Sequence, residues 1–145
     1  MTDPAPPPPT SASTPRGEVP PVALVGGASG EIGRAVAEGA AARGWAVGLW
    51  GNRNRDRVEA LAADLTERHG VTTVAVTADL ADRDATDAAA GEVIDRLGPP
   101  GMVLAAAGTR SDGLLWAQDP DRWAEIVQVN LVGTFHLLRS VTPAM

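Results

Sequence analysis

Gly26, Gly27, Gly30 and Gly33 fall within eight residues of this 145-residue chain, in the run VALVGGASGEIG from Val22 to Gly33. A short apolar stretch breaks into glycines and then continues in a helical pattern, Ile32-Gly-Arg-Ala-Val-Ala-Glu. Strand, glycine loop and helix start in that succession aim unpaired backbone N–H groups and the positive end of a helix dipole at one point, which suits a phosphate. Glycines also serve plain tight turns, so the loop alone is a weak signal. Three other positions strengthen it: Asp79-Leu80 after one apolar run, Ala105-Ala-Ala-Gly108 after another, and Gln128-Val-Asn130-Leu-Val-Gly133 inside a helical pattern.

These positions meet only if strands and helices alternate between them. The spacing predicts strands at Val22–Val25, Ala46–Trp50, Val71–Thr77 and Met102–Ala106. Between them it predicts helices at Ile32–Arg43, with Ile32, Val36 and Ala40 inward, and at Arg55–His69, with Val58, Leu61, Ala62 and Leu65 inward and Gly70 at its end. A third helix, Asp82–Leu97, turns Ala89, Ala90, Val93, Ile94 and Leu97 inward and stops at Gly98-Pro99-Pro100-Gly101. Asp119 caps a last helix with Pro120 in its first turn, running from Asp121 to about Val141. Strands and helices in this alternation imply right-handed crossovers and the α/β class, a doubly wound parallel sheet of order 3-2-1-4. The loops named above then lie at the carboxyl ends of the strands, where such sheets take ligands. Residues 1–21, rich in Pro, Ser, Thr and Ala, read as a disordered, partly polyproline-II tail, or as a ligand for a proline-binding module. The domain proper is expected over 22–145.

Composition narrows the function classes. The net charge is −6 and all twelve cationic residues are arginines, so a polyanionic partner such as nucleic acid or an acidic membrane surface is not expected. There is no cysteine, which removes disulfides and thiolate metal sites, and the two histidines, His69 and His136, stand far apart with no carboxylate pattern, so no metal is expected. No apolar run is long enough to span a bilayer and no signal-peptide pattern begins the chain, making the cytoplasm the expected compartment.

From Val22 to Met145 the chain resembles the short-chain dehydrogenase/reductase family, in its classical type and within it the 3-oxoacyl-[acyl-carrier-protein] reductases. The resemblance rests on ALVGGASGEIGRAVAE as a cofactor loop, ADL ending at Leu80 as an adenine contact, AAAGTRSDGLLW as the loop usually written with asparagines, and VNLVGTF. It implies a Rossmann-like fold, a nicotinamide cofactor, and reduction of a ketone to a hydroxyl on a small carbonyl or acyl-carrier-protein-bound substrate. The full-length protein is then expected to be a homo-oligomer. Cofactor contacts are implied at Gly27, Ala28, Ser29, Gly30, Ile32, Gly33, Asp79, Leu80, Ala105 and Gly108. Asn130 takes the place of the asparagine in an Asn-Ser-Tyr-Lys tetrad, where it orders a water in the proton relay. Chain order would put the serine and the Tyr-x-x-x-Lys beyond Met145, and the sequence contains neither tyrosine nor lysine. The chain is therefore expected to be a truncated cofactor half without chemistry of its own. A rival reading is a non-catalytic nucleotide-binding module. Another, suggested by the three-residue spacing of Gly27, Gly30 and Gly33, is an epimerase acting on nucleotide sugars.

Several residues admit two readings. Arg53 or Arg55, following the second strand where an NAD-preferring protein usually carries an acid, suits a 2′-phosphate and favours NADP (NADPH) over NAD; otherwise the arginines merely solvate a helix start. Asp79 bonds an adenine amine, caps the helix near Asp82, or does both. Asn130 is either catalytic or a buried amide splinting neighbouring backbone. Trp116 and Trp123 pack in the core or a lid rather than lining an acyl channel. Glu31 stands where the family has a glycine, and its carboxylate is compatible with a pyrophosphate only if turned to solvent.

Overall fold

A computed structural model of the protein describes residues 20–145. The expected tail lies outside these, except for Pro20 and Pro21, both exposed at the start of the first strand. A parallel strand covered on both faces needs apolar side chains on both. The uninterrupted runs of Val, Ala, Leu and Gly at β1 (Val22–Gly26) and β2 (Ala46–Gly51) meet that need, and both strands are buried throughout. β3 (Thr73–Thr77) pairs with β2 and alternates half-buried with buried residues, while β4 (Pro100–Ala105) pairs with β1. All pairings are parallel and the order is β3-β2-β1-β4, as the sequence pattern predicts.

The two-residue period of the strands divides the core. Ala23, Val25, Val47 and Leu49 face α1 (Glu31–Ala41) and α2 (Arg55–His69), meeting Ala37, Ala40, Val58 and Leu65. Val22, Leu24, Trp50 and Val74 face the opposite side, where α3 (Arg83–Leu97) and the last helical segments supply Ala90, Val93, Leu137 and Val141. Fully buried residues such as Leu65 and Leu137 contribute roughly 1.5–3 kcal/mol each. Small residues on α1 let that helix lie close to the sheet, which fixes the height of the glycine loop.

Three details depart from the sequence reading. Ile32 is 70% exposed, because the buried stripe of α1 is Gly33, Ala37, Ala40 and Ala41, and the helical period turns Ile32 well off that face. The third strand begins at Thr73 and the fourth at Pro100, where pairing with β1 is irregular between Val22 and Ala23. The last helix runs on from α4 (Pro120–Val127) to α5 (Thr134–Val141) as expected, but through a π-helical turn at Gln128–Gly133 that the sequence pattern does not show. Asp119 does cap α4, its carboxylate accepting from Asp121 N at 2.9 Å.

Trp116 and Trp123 are not core residues; they are 83% and 55% exposed. With Leu114, Leu115, Leu131 and Phe135 they leave large apolar side chains uncovered, and β4 is an edge strand of the sheet. Exposed apolar side chains and the unpaired N–H and C=O groups of an edge strand each favour association between copies. Purified 145-residue chain is accordingly expected to self-associate. Light scattering checks this, and a monodisperse monomer at micromolar concentration would contradict it.

Candidate functional site

At the carboxyl end of β1 the chain must turn sharply to start α1. Gly27 makes the turn at φ +78°, a conformation L side chains rarely adopt, and a Cβ there would lie 2.6 Å from Ala107 N. The N–H groups of Gly27 and Ala28 both donate to Trp50 O at 3.0 Å, fastening the loop to the end of β2. Gly33 sits beneath it, where a Cβ would come within 2.3 Å of Gly27 O. The first intrahelical bond of α1 runs from Arg34 N to Gly30 O at 2.9 Å, so the N–H groups of Glu31, Ile32 and Gly33 have no acceptor within the helix. The N-cap, Gly30, has no side chain to satisfy them.

Above the loop lies a cleft of about 380 Å³, bounded by the ends of β1, β2, β3 and β4. Gly27, Ser29, Gly30, Arg53, Asp79, Leu80 and Gly108, all expected contacts, line it together. Asp79 does not cap α3: its carboxylate accepts from Ala81 N at 3.0 Å, shaping the turn after β3, and Asp82 is the cap, accepting from Ala85 N at 3.0 Å. Leu80 is held by His136, whose Nδ1 lies 2.8 Å from Leu80 O, and by the close approach of Gly133. Arg53 has no hydrogen-bond or ion-pair partner among the described residues. Arg55, the alternative, is committed to Glu59 at 2.6 Å, and that hydrogen bond, with the carboxylate's charge, raises its pKa further above the ordinary value.

Other expected residues lie around rather than in the cleft. Ala28 and Gly33 are buried under the loop, Ile32 projects to solvent, and Ala105 ends β4 just before the lining residues Ala106 and Ala107. Glu31 is exposed and does not line the cleft, which removes the conflict of its carboxylate with a bound phosphate. Asn130 is exposed rather than buried and is bonded twice to one residue, its Oδ1 accepting from Thr109 N at 2.8 Å and its Nδ2 donating to Thr109 O at 2.9 Å. The π-helical turn carries it there, and Thr134 Oγ1 donates to the Asn130 carbonyl at 2.7 Å. Among the described residues no three His, Asp or Glu side chains gather as a metal site, and no helix is long and apolar enough to cross a membrane.

The sequence reading missed Arg122. Its guanidinium donates to Thr109 Oγ1 at 2.7 Å and to Arg110 O at 2.9 Å, and pairs with Glu125, so α4 holds the loop after β4 over the cleft. No local pattern marks Arg122, since its partners lie on another segment. Asn52 and Asn54 also line the cleft, and their signal was available in the run around Arg53.

A glycine-turned βα loop where the strand order reverses, under a cleft walled by the other strand ends, defines a nucleotide-binding doubly wound α/β protein. The chain belongs to the short-chain dehydrogenase family, whose model matches residues 21–145. It is 32% identical over 123 residues to the 3-oxoacyl-[acyl-carrier-protein] reductase FabG of Staphylococcus aureus (strain N315), covering 85% of this chain and 50% of that protein. Among solved structures, a 3-ketoacyl-ACP reductase from Sinorhizobium meliloti 1021 is similar at 35% identity and TM-score 0.81, over 86% of this chain and 48% of that one. An alcohol dehydrogenase from the archaeon Thermococcus sibiricus, complexed with 5-hydroxy-NADP, aligns at 29% identity and TM-score 0.82 over 86% and 52%. The chain thus spans about half the length of the curated relatives it matches.

Proposed function

We propose that residues 22–145 hold NADP(H) in the cleft above Gly27–Gly33, as the nucleotide half of a cytoplasmic reductase. The whole protein then reduces the ketone of a 3-oxoacyl thioester on acyl carrier protein, or of a related small carbonyl compound, and works as a homo-oligomer. The unpaired N–H groups at the start of α1 would face the pyrophosphate, Asp79 the adenine amine, and Arg53 a 2′-phosphate, while the N–H groups of Gly27 and Ala28 hold the loop to β2. Bound there, a nicotinamide would supply a hydride; Asn130, tied to Thr109, orders the loop after β4. The observation carrying the cofactor preference is Arg53, a guanidinium on the cleft wall after β2 with no partner among the described residues and no acid in its place. Glycine spacing alone supported the epimerase reading, and the family match does not favour it.

Calorimetric titration of the 145-residue chain tests this. NADPH is expected to bind about tenfold more tightly than NADH, the scale of one charge-assisted pair, and Arg53→Asp should reverse the order. Tighter binding of NADH by the unaltered chain would refute the preference, and an unchanged order in Arg53→Asp would return that arginine to solvent. The second reading, a non-catalytic nucleotide-binding module, is favoured by the lack of tyrosine and lysine in these residues. Sequencing the coding region past Met145 decides between them: a Tyr-x-x-x-Lys downstream selects the reductase, and an intact stop codon there selects the module.

A further inference from the structure

Residues 107–113, between β4 and the 3₁₀ turn at Leu115–Ala117, form no backbone–backbone hydrogen bond among the described residues. Ala106 N still donates to Gly26 O at 3.0 Å, and the next such bond, from Ala117 N to Leu114 O at 2.9 Å, lies past the loop. Four side-chain hydrogen bonds hold the loop to the rest of the described chain, all of them on Thr109 and Arg110. Asn130 takes the N–H and C=O of Thr109, while Arg122 Nη2 donates to Thr109 Oγ1 at 2.7 Å and to Arg110 O at 2.9 Å. Gly108 and Thr109 line the nucleotide cleft, as do Arg122 and Glu125, so the gripped stretch is one of its walls.

Arg55, Arg68, Arg96 and Arg139 reach carboxylates on their own or a facing helix. Arg122 instead crosses from α4 to a loop. Its Nη1 pairs with Glu125 one turn on, which fixes the fork and leaves Nη2 for the two loop oxygens. Arg122 and Thr109 are both half-buried, so this charge-assisted bond is shielded in part, unlike exposed ion pairs, which contribute little. The helical segment that carries Arg122 also holds the loop after β3, through Gln128 Nε2 to Ala81 O at 3.5 Å and His136 Nδ1 to Leu80 O at 2.8 Å. Those two outer walls of the cleft share no hydrogen bond with each other among the described residues, so the segment from α4 to α5 braces both.

We propose that Arg122 is a positioning residue for the nucleotide: through Thr109 Oγ1 and Arg110 O it latches the loop after β4 as a wall of the cleft, and so sets how fast a bound nicotinamide nucleotide leaves. The inference rests on the nucleotide reading above and adds a residue that reads no part of a 2′-phosphate. Without the latch the loop keeps only its bonds to Asn130 and opens more often. Release then quickens, while encounter with the rest of the cleft changes little.

The test uses the full 145-residue chain, its Arg122→Gln and Thr109→Val variants, the double variant, and Thr109→Ser, which keeps the hydroxyl. Stopped-flow displacement, followed by nicotinamide fluorescence, reads the release rates of NADPH and NADH, and thermal unfolding reads stability. Release of both nucleotides is expected to be about tenfold faster in Arg122→Gln, the scale of one hydrogen bond to a charged group. Thr109→Val, which leaves the Arg110 bond, should speed release less, the double variant no more than Arg122→Gln, and Thr109→Ser not at all. Native release rates in Arg122→Gln overturn the proposal and leave the nucleotide reading standing. A change confined to NADPH overturns it too, because Arg122 would then touch the extra phosphate. So do single effects that add in the double variant, or an acceleration that follows a fallen thermal midpoint and recurs in Thr109→Ser, the mark of a loosened fold. Should Arg122→Gln fail to fold, Thr109→Val decides, and native release there overturns the latch. If the unaltered chain binds neither nucleotide, the latch and the nucleotide reading fall together.

Discussion

Gly33→Ala is expected to weaken NADPH binding about a hundredfold, a loss of ~2.7 kcal/mol, and to destabilise the chain by about 1–3 kcal/mol through overpacking. The added Cβ would lie 2.3 Å from Gly27 O, 2.7 Å from Gly27 C and 3.0 Å from Ala28 Cα. All three are backbone atoms, so no side chain can rotate away and α1 must move off the loop. That movement carries the unpaired N–H groups of Glu31 and Ile32 away from the cleft and strains the bond from Gly30 N to Gly27 O, 3.0 Å in the native loop. Gly30→Ala is the contrast, because a Cβ there meets only Gly27 O, at 3.4 Å. It should leave the thermal midpoint nearly unchanged. Calorimetry and thermal unfolding of the two variants check both expectations. Undiminished NADPH affinity in Gly33→Ala would mean that the loop is not the nucleotide cradle.

What could be read in advance was what depends on neighbours in sequence. The buried strands β1 and β2 announce themselves as apolar runs bounded by glycine and polar residues, and their alternation with helices leaves few topologies open. Gly27, Gly30, Arg53, Asp79 and Gly108 could be placed around one cleft because strand ends in a parallel sheet converge whatever the loop details. Ile32 is exposed because small residues set the buried stripe of α1, Gly33, Ala37, Ala40 and Ala41, and a reading that follows the large apolar side chains puts that stripe out of phase. Asp79 and Asp82 were three residues apart at one helix start, and only the bonds to Ala81 and Ala85 tell the turn former from the cap. The π-helical turn within the last helix was not legible: it accompanies the close approach of Gly133 to Leu80 and the bonds of Asn130 to Thr109, contacts between segments far apart in sequence. Arg122 was missed for the same reason, since its role as a strap over the cleft exists only once α4 faces the loop after β4.

The 145-residue chain alone is expected to reduce no 3-oxoacyl thioester, even where it binds NADPH. Carbonyl reduction needs a hydride on carbon and a proton on oxygen, and a positioned general acid contributes typically 10²–10⁴-fold to such a step. The titratable side chains lining the cleft are Arg53, Asp79, Arg122 and Glu125. None of the four is a tyrosine or a lysine, Asp79 is engaged with Ala81 N, and Arg122 is engaged with Thr109, Arg110 and Glu125. Asn130 is occupied on both sides of its amide by Thr109, Ser140 donates to Leu137 O at 2.8 Å, and His136 is bound to Leu80 O at 2.8 Å outside the cleft lining. NADPH oxidation with an acetoacetyl thioester should therefore match the protein-free control. A rate above that control which Asn130→Ala abolishes would overturn the expectation and give this chain a proton path of its own. Binding without turnover would instead separate two tasks within the fold: the cradle, complete at Gly27–Gly33, and the proton delivery, for which these residues hold no donor.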